Sequence, residues 1–148
     1  DRELPFCGVY SIAPDGTLTL LSVYFRSPNG LAFSPDEKTL YIGDSADDFI
    51  EAFDVSADGW LSNARFFANV PTPDGMKVDD RGLLWVTAKD GVRVYRPNGQ
   101  LAATVAVPEQ PSNCAFGDPG GGTLYVTARS SVYKALCAGS DEKKGEKP

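Results

Sequence analysis

The tripeptide Pro-Asn/Asp-Gly occurs four times in the chain, and its central side chain carries an oxygen that could bind a cation. The copies lie at residues 14–16, 28–30, 73–75 and 97–99. Two of the central residues, Asn29 and Asp74, offer an amide oxygen and a carboxylate, which are the hard ligands that Ca²⁺ and other divalent cations prefer. The same tripeptide is a common turn sequence. A turn and a cation ligand therefore both stay open until the surrounding elements are considered.

The chain contains no histidine, which excludes several kinds of catalytic site. Ser-His-Asp and Cys-His nucleophile systems, HExxH zinc sites and histidine general bases all need that side chain. The three cysteines, Cys7, Cys114 and Cys137, are odd in number and widely spaced, so we predict neither a disulfide framework nor a cysteine zinc site. Any proton transfer must use a carboxylate, Lys, Tyr or water.

Charge and hydropathy limit the partners. The 148 residues include 14 Lys+Arg and 20 Asp+Glu, a formal charge of −6, and this spread acidity disfavours binding to a phosphate backbone. Residues 101–107, the longest run that is apolar apart from a single threonine, are far fewer than the ~20 residues of a membrane-spanning helix. We expect no nucleic-acid partner, no membrane and a cytoplasmic location. Because the chain opens at Asp1 and its only methionine is Met76, a missing N-terminus leaves a periplasmic or secreted location open.

Short runs of β-branched and aromatic residues recur in a fixed order, which predicts an all-β fold. Equivalent positions are spaced by 44 and 40 residues for the leucines, and by 43 and 40 for the glycines. These positions are Leu40, Leu84 and Leu124, and Gly16, Gly59 and Gly99. A period near 40 with four strands per repeat is typical of a β-propeller blade.

The repeat also predicts the domain organisation. Naming the strands of a blade A to D outward from the axis, residues 6–13 and 17–24 form strands C and D of a first blade, followed by two full blades and strands A to C of a last one. Thirteen strands make about three blades, whereas propellers close with typically four to eight. We therefore expect residues 1–137 to form a partial propeller, completed by further sequence or by a second copy, and residues 138–148 to form a disordered charged tail.

The phase of the repeat separates the four tripeptides. Those that begin at Pro14 and Pro97 follow strand C and are predicted to be outer hairpins. Those containing Asn29 and Asp74 precede strand A, which lines the central channel of a propeller. Aligning the prolines places Ser112 at the equivalent position of the last blade, with Asn113 beside it. Both of these residues are candidates for substrate binding, with capping of strand A as the alternative.

Other residues receive structural interpretations. We expect Asp44, after strand B, to be buried with a backbone partner, with a channel contact as the alternative. Asp47 and Asp48 are interpreted as solvated loop residues, and Cys114 as a small buried hydrophobe. The strand phases predict core packing for five aromatic side chains: Phe53, Trp60, Trp85, Tyr95 and Tyr125.

Several motifs together resemble one protein family. The runs SPNGLAFSPDEKTLYIGDS, TPDGMKVDDRGLLWVTAKDGVRVYRPNGQ and PSNCAFG are similar to the C-terminal half of the gluconolactonase / senescence-marker-protein family. The resemblance covers residues 3 to about 136 and implies a six-bladed propeller.

The resemblance also implies a site. In that family the residues matched by Asn29 and Asp74 bind one divalent cation, for which Ca²⁺ is the first expectation and Zn²⁺, Mg²⁺ or Mn²⁺ are alternatives. The residue matched by Asp74 is also the catalytic base. A third ligand, a Glu, and substrate-binding Arg and Asn residues lie N-terminal to this chain. Because affinity grows with the number of fixed oxygen ligands, we expect the isolated chain to bind metal poorly.

The expected activity is metal-dependent hydrolysis of a sugar lactone or similar small ester by the complete ring. Two alternatives stay open: a non-catalytic propeller scaffold, and a related organophosphate or aryl-ester hydrolase. A homodimer is a further hypothesis, since two copies supply about six blades. Two copies hold 26 strands, however, against the 24 of six four-stranded blades, and such a ring would repeat Asn29 and Asp74 instead of supplying the Glu.

Overall fold

A computed structural model describes residues 3–119 and 121–137. These residues form thirteen strands in four antiparallel sheets and no helix, and hence no helix that could cross a membrane. The predicted tail, residues 138–148, lies outside the described residues. The order of strands within the sheets agrees with the predicted all-β propeller blades.

Each sheet is built from strands that follow one another in the chain. The first holds β1 (Val9–Ile12) and β2 (Leu18–Ser22). The second holds β3 (Pro28–Phe33), β4 (Thr39–Asp44), β5 (Phe49–Val55) and β6 (Leu61–Asn69). The third holds β7 (Met76–Val78), β8 (Leu84–Ala88), β9 (Gly91–Tyr95) and β10 (Leu101–Val105). The fourth holds β11 (Pro111–Gly117), β12 (Thr123–Ala128) and β13 (Ser131–Leu136).

The outer hairpins explain the regular spacing of three glycines. Gly16, Gly59 and Gly99 have φ values of +87°, +79° and +82°, a left-handed conformation that costs other residues energy because of their Cβ. The amide of each glycine donates to the carbonyl three residues earlier. The hairpin interpretation of residues 14–16 and 97–99 is therefore confirmed.

The core consists of three layers between consecutive sheets. One layer, around Ile42 and Phe53, joins the first sheet to the second. The next, around Ile50 and Val86, joins the second to the third, and the last, around Val94 and Leu124, joins the third to the fourth. Strands β4 and β8 are buried almost throughout because a sheet packs on each side of them. The second, third and fourth sheets thus bring their inner strands β3, β7 and β11 next to one another.

Two faces at the ends of the stack are apolar and exposed. The first sheet exposes Tyr10, Ile12, Leu18 and Leu20, and the last sheet exposes Tyr125, Val132 and Leu136. Two of the five aromatic residues predicted for the core are therefore misplaced. Tyr125 is 38% exposed because no sheet packs on its side of β12, and Trp60 is 57% exposed because it lies at the outer hairpin before β6. The other three, and Cys114, are buried as predicted.

Candidate active site

The first residues of the three inner strands lie in contact at one end of the stack. The amide of Gly75 donates to the carbonyl of Ser112, with an N···O distance of 2.9 Å. Gly30 packs against Asp74, the residue before Gly75: a Cβ built on Gly30 would lie 1.9 Å from the carbonyl oxygen of Asp74. The structure therefore brings the segments that carry Asn29, Asp74 and Ser112 side by side.

Asn29 is exposed at the start of β3, and its side-chain amide is held by a hydroxyl. Asn29 Nδ2 donates to Ser45 Oγ at 3.1 Å, and Ser45 Oγ donates in turn to the carbonyl oxygen of Pro73. Among the described residues nothing hydrogen-bonds Asn29 Oδ1. The amide oxygen is thus free to bind a ligand, whereas one of the two Nδ2 protons is already used by Ser45.

Asp74 has a fixed backbone and a free side chain. Its amide donates to the carbonyl of Thr87 at 2.9 Å, and both the amide and the hydroxyl of the buried Thr87 donate to the carbonyl of Gly75, each at 2.9 Å. The carboxylate of Asp74 forms no hydrogen bond or ion pair within residues 3–119 and 121–137, although the residue is partly buried. An unpartnered carboxylate on a rigid backbone can accept a proton or bind a cation.

Ser112 and Asn113 are exposed at the start of β11. Ser112 Oγ lies 3.0 Å from the hydroxyl of Thr127. Asn113 Oδ1 accepts a hydrogen bond from the amide of Cys114 at 2.8 Å and lies against Gly75, where a Cβ would be 2.1 Å away. The oxygen of Asn113 is therefore occupied locally, whereas its Nδ2 has no partner among the described residues.

Asp44 is fully buried and supports the segment before Asn29. Its carboxylate accepts hydrogen bonds from four backbone amides, those of Arg26, Ser27, Ala46 and Asp47, at 2.6, 3.2, 2.9 and 3.2 Å. This confirms the predicted burial with backbone partners and makes Asp44 a structural residue.

The neighbouring acidic residues are exposed but have partners. Asp47 forms an ion pair with Arg26. Asp48 accepts a hydrogen bond from the amide of Thr72 at 2.7 Å. Both carboxylates therefore order the loops instead of forming a cation site.

The donor set fits two positions of a cation site. No group of three or more His, Cys, Asp or Glu side chains that could hold a metal is found in the described part of the chain. Asn29 and Asp74 nevertheless present oxygens that have no partner among the described residues, at the starts of neighbouring inner strands, and the close approach of those two segments depends on Gly30. These residues suit a hard divalent cation, with further oxygen ligands coming from elsewhere.

Sequence reasoning missed Ser45 and Thr87, which hold the two candidate ligands. Both lie in or directly after strand B, at a distance of 13 or more residues from the residue they hold. The available signal was their phase in the repeat, at the same end of the blades as Asn29 and Asp74. That phase does not say which side chains touch across two sheets.

Comparison with known proteins gives the family. The SMP-30/Gluconolactonase/LRE-like region matches residues 2–130. A gluconolactonase of Zymomonas mobilis is 33% identical over 147 residues, covering 90% of this chain and 41% of the relative. Regucalcin of Danio rerio is 34% identical over 129 residues, covering 81% of this chain and 44% of the relative.

Solved structures agree with the sequence relatives. XC5397 of Xanthomonas campestris, described as a gluconolactonase, has a TM-score of 0.83 at 40% identity and covers 90% of this chain and 46% of its own. A regucalcin of Agrobacterium tumefaciens, described as a calcium-binding protein, has a TM-score of 0.74 at 27% identity and covers 81% and 43%. This chain thus spans less than half the length of these relatives. With the family region matched over most of its residues, the chain belongs to the SMP-30/gluconolactonase family.

Proposed function

We propose that this chain forms part of a lactonase that hydrolyses sugar lactones or similar small esters, with one divalent cation held by Asn29 and Asp74. The observation that carries the proposal is the carboxylate of Asp74, which has no partner among the described residues and belongs to a segment packed against the strand of Asn29. Support for the reaction class comes from the gluconolactonases among the relatives. Ca²⁺ is the cation we propose, because both ligands are hard oxygens and one relative is described as calcium-binding.

The chemistry assigned to Asp74 is proton transfer. Asn29 and Asp74 would hold the divalent cation, whose positive charge would polarise the lactone carbonyl. The Asp74 carboxylate accepts a proton from the attacking water while the water oxygen forms a bond to the carbonyl carbon. The ring C–O bond then breaks, and the proton passes to the departing ring oxygen, giving the open hydroxy acid. No covalent enzyme intermediate is needed, in keeping with the lack of histidine in the chain.

Asn29 binds and orients in this proposal. Its amide oxygen is uncharged, so it adds a ligand without taking the proton that Asp74 must accept. Ser112 and the Nδ2 of Asn113 are proposed to hydrogen-bond lactone hydroxyls, since both are exposed beside the Asp74 segment.

The Asp74→Asn variant tests the proposal. Lactone hydrolysis is measured by pH-stat with and without Ca²⁺, after light scattering has established whether the protein is a monomer or has twice the 15.8 kDa mass expected of a ring rebuilt from two copies. We expect activity of the complete ring to fall by about a factor of 10² or more, as for the loss of a general base, with the unfolding midpoint unchanged. Turnover that persists in Asp74→Asn would remove Asp74 as the base.

A scaffold that binds a cation without catalysis is the second candidate. It is favoured because the part of the chain that the structure describes offers two ligand positions and no cluster of three or more His, Cys, Asp or Glu. Cation binding with no hydrolysis across a panel of lactones, aryl esters and organophosphates would support it against both hydrolase hypotheses.

A further inference from the structure

A three-residue relay of hydrogen bonds connects the two ligand segments. Asn29 Nδ2 donates to Ser45 Oγ at 3.1 Å, and Ser45 Oγ donates to the carbonyl oxygen of Pro73, the residue before Asp74. Ser45 therefore lies between the second sheet and the third and contacts both strand starts.

The proton count of the relay fixes the direction of the Asn29 amide. A serine hydroxyl has one proton, and the carbonyl of Pro73 can only accept, so the proton of Ser45 is committed to Pro73. The oxygen of Ser45 is then an acceptor, and it requires a donor from Asn29. Nδ2 is the only side-chain donor of Asn29, so Oδ1 must lie on the other branch of the amide, away from Ser45. A flipped amide would place two oxygens about 3 Å apart with no proton between them.

Ser45 is itself held in place. Its amide donates to the carbonyl of Ser27 at 3.0 Å. The carboxylate of Asp44 accepts hydrogen bonds from the amide of Ser27 and from that of Ala46, the residue after Ser45. These hydrogen bonds fix the backbone that carries the Ser45 hydroxyl, and they form without a bound ligand.

The other two blades lack this arrangement, and neither needs it. The positions equivalent to Ser45 are Lys89 and Arg129, whose charged groups cannot accept a hydrogen bond. The residues equivalent to Asn29 are Asp74 and Ser112. A carboxylate has two equivalent oxygens and a serine has one hydroxyl, so neither side chain must be fixed in one of two orientations. At the position of Ser45, these three blades carry a hydroxyl only in the blade whose candidate ligand is an amide; the hydroxyl that contacts Ser112 in the last blade belongs to Thr127, two residues before that position.

We propose that Ser45 is a positioning residue that directs the amide oxygen of Asn29 toward the bound cation and ties Asn29 to the segment of Asp74. This inference rests on the proposed function in one respect, namely that Asn29 Oδ1 is a cation ligand. The orientation of the amide itself does not depend on that function.

Three variants test the proposal. Ser45→Ala removes the relay, and Ser45→Thr keeps a hydroxyl. Ser34→Ala is the matched control, because Ser34 Oγ also both donates, to Asp36 at 2.7 Å, and accepts, from the amide of Thr39 at 2.9 Å, but at the opposite end of β3. The ¹H–¹⁵N signal of the Asn29 side-chain amide, identified by its absence in Asn29→Ala, is recorded together with Ca²⁺ affinity by calorimetry and the unfolding midpoint.

We expect Ser45→Ala to shift the Asn29 side-chain signal and to weaken Ca²⁺ binding by about threefold to tenfold, the effect of one hydrogen bond. Ser45→Thr is expected to restore both readouts, and Ser34→Ala to change neither. An unchanged Asn29 signal in Ser45→Ala would overturn the proposal, whether or not affinity falls, because a merely structural role would then account for the loss. If the complete ring binds no Ca²⁺, the proposed function fails, and the Asn29 signal still decides whether Ser45 orients the amide.

Discussion

Because Gly30 lies in close contact with the Asp74 segment, we predict that Gly30→Ala lowers the unfolding midpoint. The added methyl would lie 1.9 Å from the Asp74 carbonyl oxygen and 3.2 Å from Met76 Cε. A carbon needs about 3.3 Å from a carbonyl oxygen, so β3 and β7 must separate by roughly 1.4 Å. Backbone cannot move aside as a side chain can, and overpacking of this kind costs about 1–3 kcal/mol. At 2–4 °C per kcal/mol for a chain of this size, the unfolding midpoint falls by roughly 2–12 °C.

Matched glycine variants separate the steric effect from other causes. Gly122→Ala adds a methyl where no other described residue beyond its chain neighbours lies within 4 Å, and Gly16→Ala does the same at φ +87°, where backbone strain is added. Thermal unfolding followed by circular dichroism, with Ca²⁺ titration of each variant, provides the assay. We expect Gly122→Ala to match the wild type, Gly16→Ala to lose about 1 kcal/mol with normal Ca²⁺ affinity, and Gly30→Ala to lose both stability and affinity. A Gly30→Ala protein with wild-type midpoint and affinity would refute the close contact of the two strands.

Three further predictions concern buried ionisable groups. Asp44→Asn should lower the free energy of unfolding, measured in urea, by about 3 kcal/mol. The two carboxylate oxygens of Asp44 accept hydrogen bonds from four backbone amides, and the variant replaces one of these oxygens with an NH2 group that donates. A loss below 1 kcal/mol would contradict the structural role of Asp44. Burial raises the pKa of the Cys114 thiol from its usual 9.0 to about 11, so the folded state holds the thiol proton more tightly than the unfolded state. The free energy of unfolding should therefore be unaffected by this group below pH 9 and fall by up to about 3 kcal/mol as pH rises through 11. The fall should disappear in Cys114→Ala. Burial also raises the pKa of Glu51 above 4.5, with Oε2 lacking a partner among the described residues. Wild-type stability should therefore fall relative to Glu51→Gln as pH rises from 4 to 7, and parallel pH profiles would count against this.

The repeat made most of the fold predictable. Strands predicted at residues 6–13 and 17–24 are found at Val9–Ile12 and Leu18–Ser22, and the division into sheets of two, four, four and three strands follows the predicted phase. Periodicity succeeds here because each blade is one local unit whose strands pair with their sequence neighbours. Burial was less predictable where a blade lacks a neighbour, as the exposure of Tyr125 shows.

The candidate site was predictable only in part. The phase places Asn29 and Asp74 at the same end of adjacent inner strands, and the contact of Gly30 with Asp74 is consistent with that placement. The relay through Ser45 and the hydrogen bonds by which Thr87 holds Asp74 and Gly75 could not be predicted. The relay depends on the register between two sheets, and the contacts of Thr87 depend on which side chains meet at the end of one sheet. Sequence periodicity fixes the register within a sheet, but contact between sheets depends on side-chain volumes, such as that of Met76, and on the bulge in β3.

Because the two ligand residues belong to different sheets, cation binding and the packing of those sheets are thermodynamically linked. A cation that contacts both Asn29 and Asp74 binds only when β3 and β7 are correctly packed, so its binding free energy adds to the free energy of unfolding. With two protein ligands the affinity should be weak, yet Ca²⁺ at one hundred times its Kd would still stabilise the fold by about 2.7 kcal/mol. The unfolding midpoint should then rise by roughly 5–11 °C in the wild type and very little in Asp74→Asn. An equal rise in both proteins would mean that the stabilising cation binds elsewhere, and Asp74 would lose its assignment as a ligand.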